Sequence, residues 1–456
     1  MSETILFEDS RAAGLGSLVL TRPVFELVAG ARSQRARIEA LSGRPVRAVL
    51  TRPALAPWCR LAGLDDFRTK TPAPPWLFVN GRALPDRALW GRMKGLVPGE
   101  ALLSAGEDLL AFCLEGDPRE AQRFAEEWVP AAGVVSGGAG PREGSDHAGA
   151  GRVERSGQAG GIALGLPGGA MGLSAALAPG CRVLTNSWDL ITGLEQLLPE
   201  DVSALCSGER PLSRLADAPQ AGLFVRGDQA FVEAEVRLSP PVAIDSTAGP
   251  VFLGRGSEVG PLAQVEGPAF LAAGARVLGG RVAQTYVGPG CRIRGEIATS
   301  LFMGWTNKAH DGFVGHSVFG EWVNLGAMTT TSNLKNTYGE IRMGRGRQTP
   351  TGRQKLGSLV GDHTRTSIGT LLAGGTSIGV GVNLFGSPGM APHWLPSFLW
   401  GVGSTARTYE LERFLQVVER VLARRERTLL PAEREILVAA HAATAAERDA
   451  YLSGIA

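Results

Sequence analysis

From about residue 225 onward, aliphatic side chains recur at every sixth position. Val232, Leu238 and Ile244 keep that spacing, as do Val259, Val265, Leu271 and Val277, then Val287 and Ile293, and later Leu372, Ile378 and Leu384. Glycine often follows the aliphatic residue directly, as in Val259-Gly260, Val287-Gly288, Val314-Gly315, Ile368-Gly369 and Ile378-Gly379. A period of six fits neither a helix face nor a simple strand alternation. It is the mark of a parallel β-helix, in which about three hexads make one triangular coil and each aliphatic side chain points inward. The segment Leu325–Arg353 breaks the period and is expected to project from the solenoid as a loop.

Composition agrees with this reading and removes others. The chain of 456 residues holds 62 Gly and 28 Pro, which disfavours a helical bundle because an interior Gly costs a helix about 1 kcal/mol. The glycines lack the strict three-residue period of collagen. With 44% apolar residues the chain has enough material for sizeable cores, so wholesale disorder is excluded. Lys and Arg number 46 against 44 Asp and Glu, a balance that offers no overall field for nucleic acid or membrane. Five scattered cysteines (Cys59, Cys113, Cys181, Cys206 and Cys291) include no CxxC pair, which argues against a disulfide framework and a structural zinc site. No apolar run reaches the length of a signal peptide or a membrane span, so a cytoplasmic protein is expected.

The first 130 residues alternate strand and helix signals. Thr4–Phe7, Val46–Leu50 and Trp76–Val79 read as strands, whereas Val24–Leu41 and Arg119–Trp128 have helical spacing. This alternation predicts an α/β domain with a mostly parallel sheet. Residues 136–170 hold 12 glycines in 35 positions and are expected to form a flexible insertion. Trp188–Leu198 reads as a helix, and Tyr409–Arg427 and Pro431–Ala442 as amphipathic helices suited to covering an open solenoid end. The expected division is therefore an α/β domain over 1–222, a β-helix over 223–400 and a helical segment over 401–456.

Two regions carry a resemblance. The solenoid contains Lys308-Ala309-His310-Asp311-Gly312-Phe313-Val314-Gly315-His316-Ser317, then Gly320-Glu321-Trp322-Val323-Asn324-Leu325-Gly326-Ala327, Thr329-Thr330-Thr331-Ser332-Asn333-Leu334-Lys335-Asn336 and Gly361-Asp362-His363-Thr364-Arg365-Thr366. Near the N-terminus stand Leu18-Val19-Leu20-Thr21-Arg22-Pro23 and Trp76-Leu77-Phe78-Val79-Asn80-Gly81-Arg82. Together these resemble the GlmU-like family of sugar nucleotidyltransferases. That family is similar to the bifunctional N-acetylglucosamine-1-phosphate uridylyltransferase/glucosamine-1-phosphate acetyltransferase.

The resemblance implies a nucleotidyltransferase-like domain followed by a left-handed β-helix that forms homotrimers and acts on a sugar phosphate and a nucleotide. It implies acetyl-CoA as acyl donor, with His310 as the base that takes the proton of an attacking sugar amine. An imidazole suits that task near neutral pH. Lys308 would face the sugar phosphate, Asn324, Asn333 and Asn336 would bind the sugar, and the backbone at Gly326 and Ala327 would border the pantetheine arm. His316 and His363 are read as structural or orienting. In the N-terminal domain Arg22 is the candidate phosphate contact, and Mg2+ is the implied ion for nucleotidyl transfer. However, Val24 stands at the motif's lysine position and Arg82 at its metal-binding carboxylate position. Asp86 and Asp189 lie outside the motif; loop solvation and helix capping account for them. Two alternatives remain beside the bifunctional reading: an acyltransferase with a single activity, and a trimeric β-helix serving as a scaffold or sensor without catalysis.

Overall fold

The computed structural model describes residues 2–128, 152–155, 162–165, 172–207, 212–217, 220–346 and 348–454. The chain forms two compact units. One comprises Met1–Leu15, Arg22–Leu27 and Ser33–Thr185, and the other Gly16–Thr21, Val28–Arg32 and Asn186–Ala456.

The first unit is built on Glu3–Phe7, which pairs in parallel with Ala48–Leu50 on one side and Trp76–Asn80 on the other. Beyond Trp76–Asn80 the sheet turns antiparallel through Leu109–Leu114 and Glu100–Ser104, and Gly172–Ala178 then runs parallel to the latter. Arg152–Arg155 and Ile162–Gly165 extend this edge as antiparallel strands, so these parts of the Gly-rich span are strands. The rest of 136–170 lies outside the described residues. Because successive strand residues face opposite sides, Ile5, Phe7 and Phe78 enter one core while Leu6, Leu77 and Val79 enter the other. Both faces are thus covered, which explains why the central strands read as unbroken apolar runs.

One predicted helix is corrected. Within Val24–Leu41, only Gln34–Ser42 is α-helical, begun by the Ser33 hydroxyl accepting from the Ala36 amide at 3.2 Å. Upstream, Gly30 adopts φ +80°, and the Ala31 amide donates to Asp201 instead of to a helix carbonyl. Helical apolar spacing was present there, but a left-handed glycine and a long-range partner overrode it.

In the second unit the chain passes repeatedly through parallel ladders. One ladder stacks Ala230–Val232, Val251–Leu253, Ala269–Leu271, Tyr286–Val287, Leu301–Gly304, Val318–Glu321, Leu359–Val360, Ser377–Ile378 and Trp394–Leu395. A second contains Leu223–Arg226, Val242–Asp245 and Ala263–Glu266, and a third Arg237–Leu238 and Glu258–Val259. Val232, Leu238 and Ile244 therefore enter different ladders, one from each hexad. All the aliphatic residues of the six-residue series belong to, or pack against, a single buried core. Outside that core, Phe252, Phe270 and Tyr286 stack with centroids 4.9 and 5.4 Å apart.

Among the glycines that follow the aliphatic residues, Gly369 serves a turn, with φ +69° and open space beside it, but others answer a different need. At Gly288 an added Cβ would lie 2.1 Å from the Met303 carbonyl oxygen, and at Gly379 it would lie 2.3 Å from the Ser397 amide nitrogen. Gly288 and Gly379 are small because the neighbouring stretch of chain passes so close. Gly379→Ala is expected to lower stability by about 1–3 kcal/mol through overpacking. Urea denaturation of the variant beside the parent measures this, and an unchanged midpoint refutes the close-approach account.

The break in the period is narrower than Leu325–Arg353. Val323 and Leu325 remain in the core, and Thr330–Thr331 pairs in parallel with Leu371–Leu372. The excursion proper follows Ser332 and includes the antiparallel pair Arg342–Met343 and Thr349–Pro350. At the C-terminal end lie the helices Leu411–Ala423, Pro431–Ala443 and Ala445–Leu452. Phe414, Leu415 and Val418 pack with Trp322, Val380 and Phe398, so the first of these helices covers the flank of the coils. Among the described residues no helix is long and apolar enough to cross a membrane.

Candidate functional site

Lys308 ends the short strand Asn307–Lys308, paired in parallel with Arg292–Ala298. Its side chain is fully buried, and Nζ donates to the carbonyl oxygens of His310 and of Asp311, the latter at 3.0 Å. Burial pushes this ammonium down to about 8, partly opposed by the charge of Asp311. The ammonium thus ties down the backbone of the turn, while the His310 side chain is exposed on its outer side.

Another imidazole, His316, is held on both edges. Asn333 Nδ2 lies 2.8 Å from His316 Nδ1, and His316 Nε2 lies 4.0 Å from Glu195 Oε1. Arg353 clamps the same carboxylate at 2.7 Å and donates to the Thr192 hydroxyl at 2.7 Å. Burial, then the charges of Arg353 and Lys355, push His316 down to about 4, so it is neutral at physiological pH. Beside Asn333 opens a largely apolar cleft of about 340 Å³, lined by Phe313, Leu334, Leu371 and Met390 among others. Glu195 and Arg353 were not singled out from sequence, since neither stands in a motif and they join His316 across long chain separations.

The remaining solenoid candidates separate. Asn324 accepts at 3.0 Å from Asn307 and lines a different cleft, with Arg292 and Arg365. Asn336 is exposed. A Cβ on Gly326 would lie 2.4 Å from the Ser367 carbonyl oxygen, so its size is set by its own neighbouring coil, and Ala327 follows it half-buried. His363 packs parallel to Trp322, with centroids 6.4 Å apart, and edge-on to Phe414.

In the first unit Arg82 is wholly buried. Its Nε and Nη2 donate to Asp9 at 2.9 and 2.6 Å, Nη2 also meets Asp108 at 2.7 Å, and Nη1 donates to the Leu184 carbonyl at 3.0 Å. Asn80 completes the cluster by donating to Asp9 at 2.8 Å. Burial would raise the Asp108 carboxyl, but the charge and hydrogen bond of Arg82, with help from Arg11, hold it below its ordinary value. A guanidinium therefore occupies the centre of the carboxylate pair, and the residues present do not fit a divalent cation there. Among the described residues no group of three or more His, Cys, Asp or Glu side chains gathers to hold a metal. Asp86 caps the helix Arg87–Lys94 by accepting from the Leu89 amide at 2.7 Å, and Asp189 accepts from the Asn186 amide at 2.8 Å. Arg22 is buried, and its carbonyl accepts from Arg52 at 3.4 Å. The preceding segment Gly16–Thr21 groups with the second unit, where Ser17 donates to the Ile378 carbonyl at 3.2 Å and Thr21 to Asp362.

Residues 4–210 match the family model described as sugar nucleotidyl transferase. A bifunctional sugar-1-phosphate nucleotidylyltransferase/acetyltransferase from Sulfurisphaera tokodaii is 34% identical over 91 residues, which are 20% of this chain and 23% of that protein. The match thus spans about a quarter of the relative's length. Among solved structures, LpxA from Acinetobacter baumannii matches over 43% of this chain and 76% of its own, with 13% identity and a TM-score of 0.15, and that likeness carries no argument about either fold or chemistry. The stretch that matches the sugar nucleotidyl transferase model, residues 4–210, contains both Leu18–Pro23 and Trp76–Arg82.

Proposed function

We propose that this chain is a sugar-nucleotide pathway transferase whose solenoid transfers an acetyl group from acetyl-CoA to an amino sugar phosphate. On this reading the parallel ladders are a left-handed β-helix of hexapeptide repeats over 223–400, assembled as a homotrimer, with the α/β domain over 1–222 and the helical segment over 401–456. The observation that carries it is the turn at His310. An exposed imidazole rides on a backbone fixed by the buried Lys308 ammonium. The activities in the name of the Sulfurisphaera relative, nucleotidyl and acetyl transfer, support the same reaction classes.

In the transfer, the amine nitrogen of the sugar attacks the thioester carbonyl carbon and a C–N bond forms. His310 takes the amine proton, the C–S bond breaks, and coenzyme A leaves as the thiolate, which is protonated to the free thiol. Lys308 is a positioning residue for this base. Asn333 and Asn336 contact the sugar, and the backbone at Gly326 and Ala327 borders the donor's arm, whereas Asn324 lines a different cleft and has no part in this transfer. In the N-terminal domain Arg22 contacts the phosphate of the sugar phosphate or nucleotide. No step there is routed through magnesium, because Arg82 already neutralises Asp9 and Asp108.

A second reading places the base at His316, favoured by its contacts with Asn333 and Glu195. The experiment that tests acetyl transfer itself is release of free thiol from acetyl-CoA, with glucosamine 1-phosphate as acceptor. Thiol release that depends on the acceptor is expected. Its absence across amino sugar phosphates, together with no binding of acyl-CoA or nucleotide at millimolar concentration, would leave the scaffold or sensor reading.

A further inference from the structure

The third ladder carries an outward column of side chains that changes character along its length. Arg237 and Arg276 both pair with Glu258, at 2.6 and 3.3 Å, so these arginines have a carboxylate. The next positions in register are Arg292, Asn307, Asn324 and Arg365, each bridged to the one before it. They line a cleft of about 200 Å³, closed on its other side by Arg424 and Arg425 just past the helix Leu411–Ala423. Among the described residues no carboxylate lines this cleft.

Four guanidinium groups facing one small space without a counter-charge need an explanation. Arg292 Nε and Arg365 Nη2 are buried and have no hydrogen-bond partner among the described residues. A buried donor left unmade costs roughly 1–3 kcal/mol, and more when it is charged. Burial, and then the charges of Arg292, Arg276 and Arg424, push Arg425 below its ordinary value despite its bond to the Gly290 carbonyl at 3.3 Å. The Asn324 side-chain oxygen receives the Asn307 amide at 3.0 Å, so its NH2 group is the end that can donate to a ligand. An ordinary solvated basic face accounts for Arg424, which is exposed, but not for the buried donors of Arg292 and Arg365.

We propose that this cleft is a binding site for a phosphate oxyanion, either free pyrophosphate or the phosphoryl end of a phosphate ester. The planar forks of Arg292, Arg365, Arg424 and Arg425 match paired phosphate oxygens, and the Asn324 amide supplies a neutral donor. The stacked indoles of Trp305 and Trp322, 5.2 Å apart, form its rigid wall. Arg427 and Gly290 already lie against Trp305, so the wall offers no free ring face for a base to stack on. The recognised group is therefore the anion itself. This claim does not rest on acetyl transfer at His310, and either can fail alone.

The test uses the full chain and sodium pyrophosphate, with sodium chloride at matched ionic strength as control. Pyrophosphate is expected to raise the melting temperature with increasing concentration, as any ligand that binds only the native state does. Arg424→Gln and Arg365→Gln should each weaken pyrophosphate binding by about tenfold or more in titration calorimetry. Without ligand, Arg424→Gln should melt no lower than the parent, because it relieves repulsion among like charges. A purely structural arginine would give the opposite result. Titration with a sugar 1-phosphate and a nucleoside triphosphate separates the sources, since tighter binding than pyrophosphate assigns the site to an ester. A melting shift no larger than that from chloride, or pyrophosphate affinity unchanged in both variants, overturns the proposal.

Discussion

Arg82→Leu is expected to destabilise the N-terminal unit by about 3–5 kcal/mol at neutral pH, the cost of leaving buried charges uncompensated. The guanidinium is wholly buried and bonds both Asp9 and Asp108, so its removal strands two carboxylates in a dry site. Arg82→Lys should rescue only part of the loss, because an ammonium cannot reproduce bonds to two carboxylates and the Leu184 carbonyl from one rigid fork. The pH dependence separates this from simple loss of packing. In the parent, Asp108 is held below its unfolded value of 3.8, so its stabilisation is complete above that value and is lost as pH falls through the lower folded one. In Arg82→Leu the main partner is gone and only Arg11 still opposes burial, so the carboxyl shifts upward. The folded variant then binds more protons than the unfolded chain, and its stability rises as pH falls from neutral. The gap between parent and variant should narrow between pH 7 and pH 5. Urea denaturation at both values measures it. A gap that stays constant, or a variant as stable as the parent, refutes the role assigned to the cluster.

Much of the second unit was legible because its period is local. Val259, Val265, Leu271 and Val277 announce their ladders without reference to anything distant, and each takes its expected place in the core. The N-terminal strands were legible for a related reason: runs such as Trp76–Asn80 are apolar on both faces, as a covered sheet requires. Legibility failed where a distant partner decided the outcome. Gly30 and Ala31 leave the helical path beside Asp201, and nothing near Gly30 in sequence indicates it. Arg82 was noted only as a residue in the wrong place for a metal ligand. That it would bind both Asp108 and Asp9 depends on pairings 26 and 73 residues apart. The candidate site divided in the same way. Lys308 and His310 are two residues apart and meet through one turn, whereas Glu195 and Arg353 reach His316 only through the fold. The arginine column was invisible for a third reason. Arg292, Asn307, Asn324 and Arg365 align only once the coil lengths are known, and the excursion after Ser332 makes those lengths unequal.

His310→Ala is expected to lower the turnover number for acetyl transfer by about 10²–10⁴-fold, the range typical of a lost general base, with little change in KM for the acceptor. Lys308→Met should reproduce part of that loss, since freeing the carbonyls of His310 and Asp311 releases the turn without removing the imidazole. His316→Ala provides the decisive comparison. His316 is neutral until pH falls to about 4, its Nδ1 is taken by Asn333, and its Nε2 faces a carboxylate already clamped by Arg353. Those contacts fit a side chain that orders the wall of the apolar cleft, and on that account His316→Ala moves KM more than turnover. If His316 were the base instead, transfer would persist on acidification down to about pH 4, vanish in His316→Ala, and survive in His310→Ala. The two imidazoles therefore make opposite demands on the same pair of variants. A parent rate that holds below pH 5, with His310→Ala fully active, would move the chemistry from the exposed turn to the half-buried triad of Asn333, His316 and Glu195.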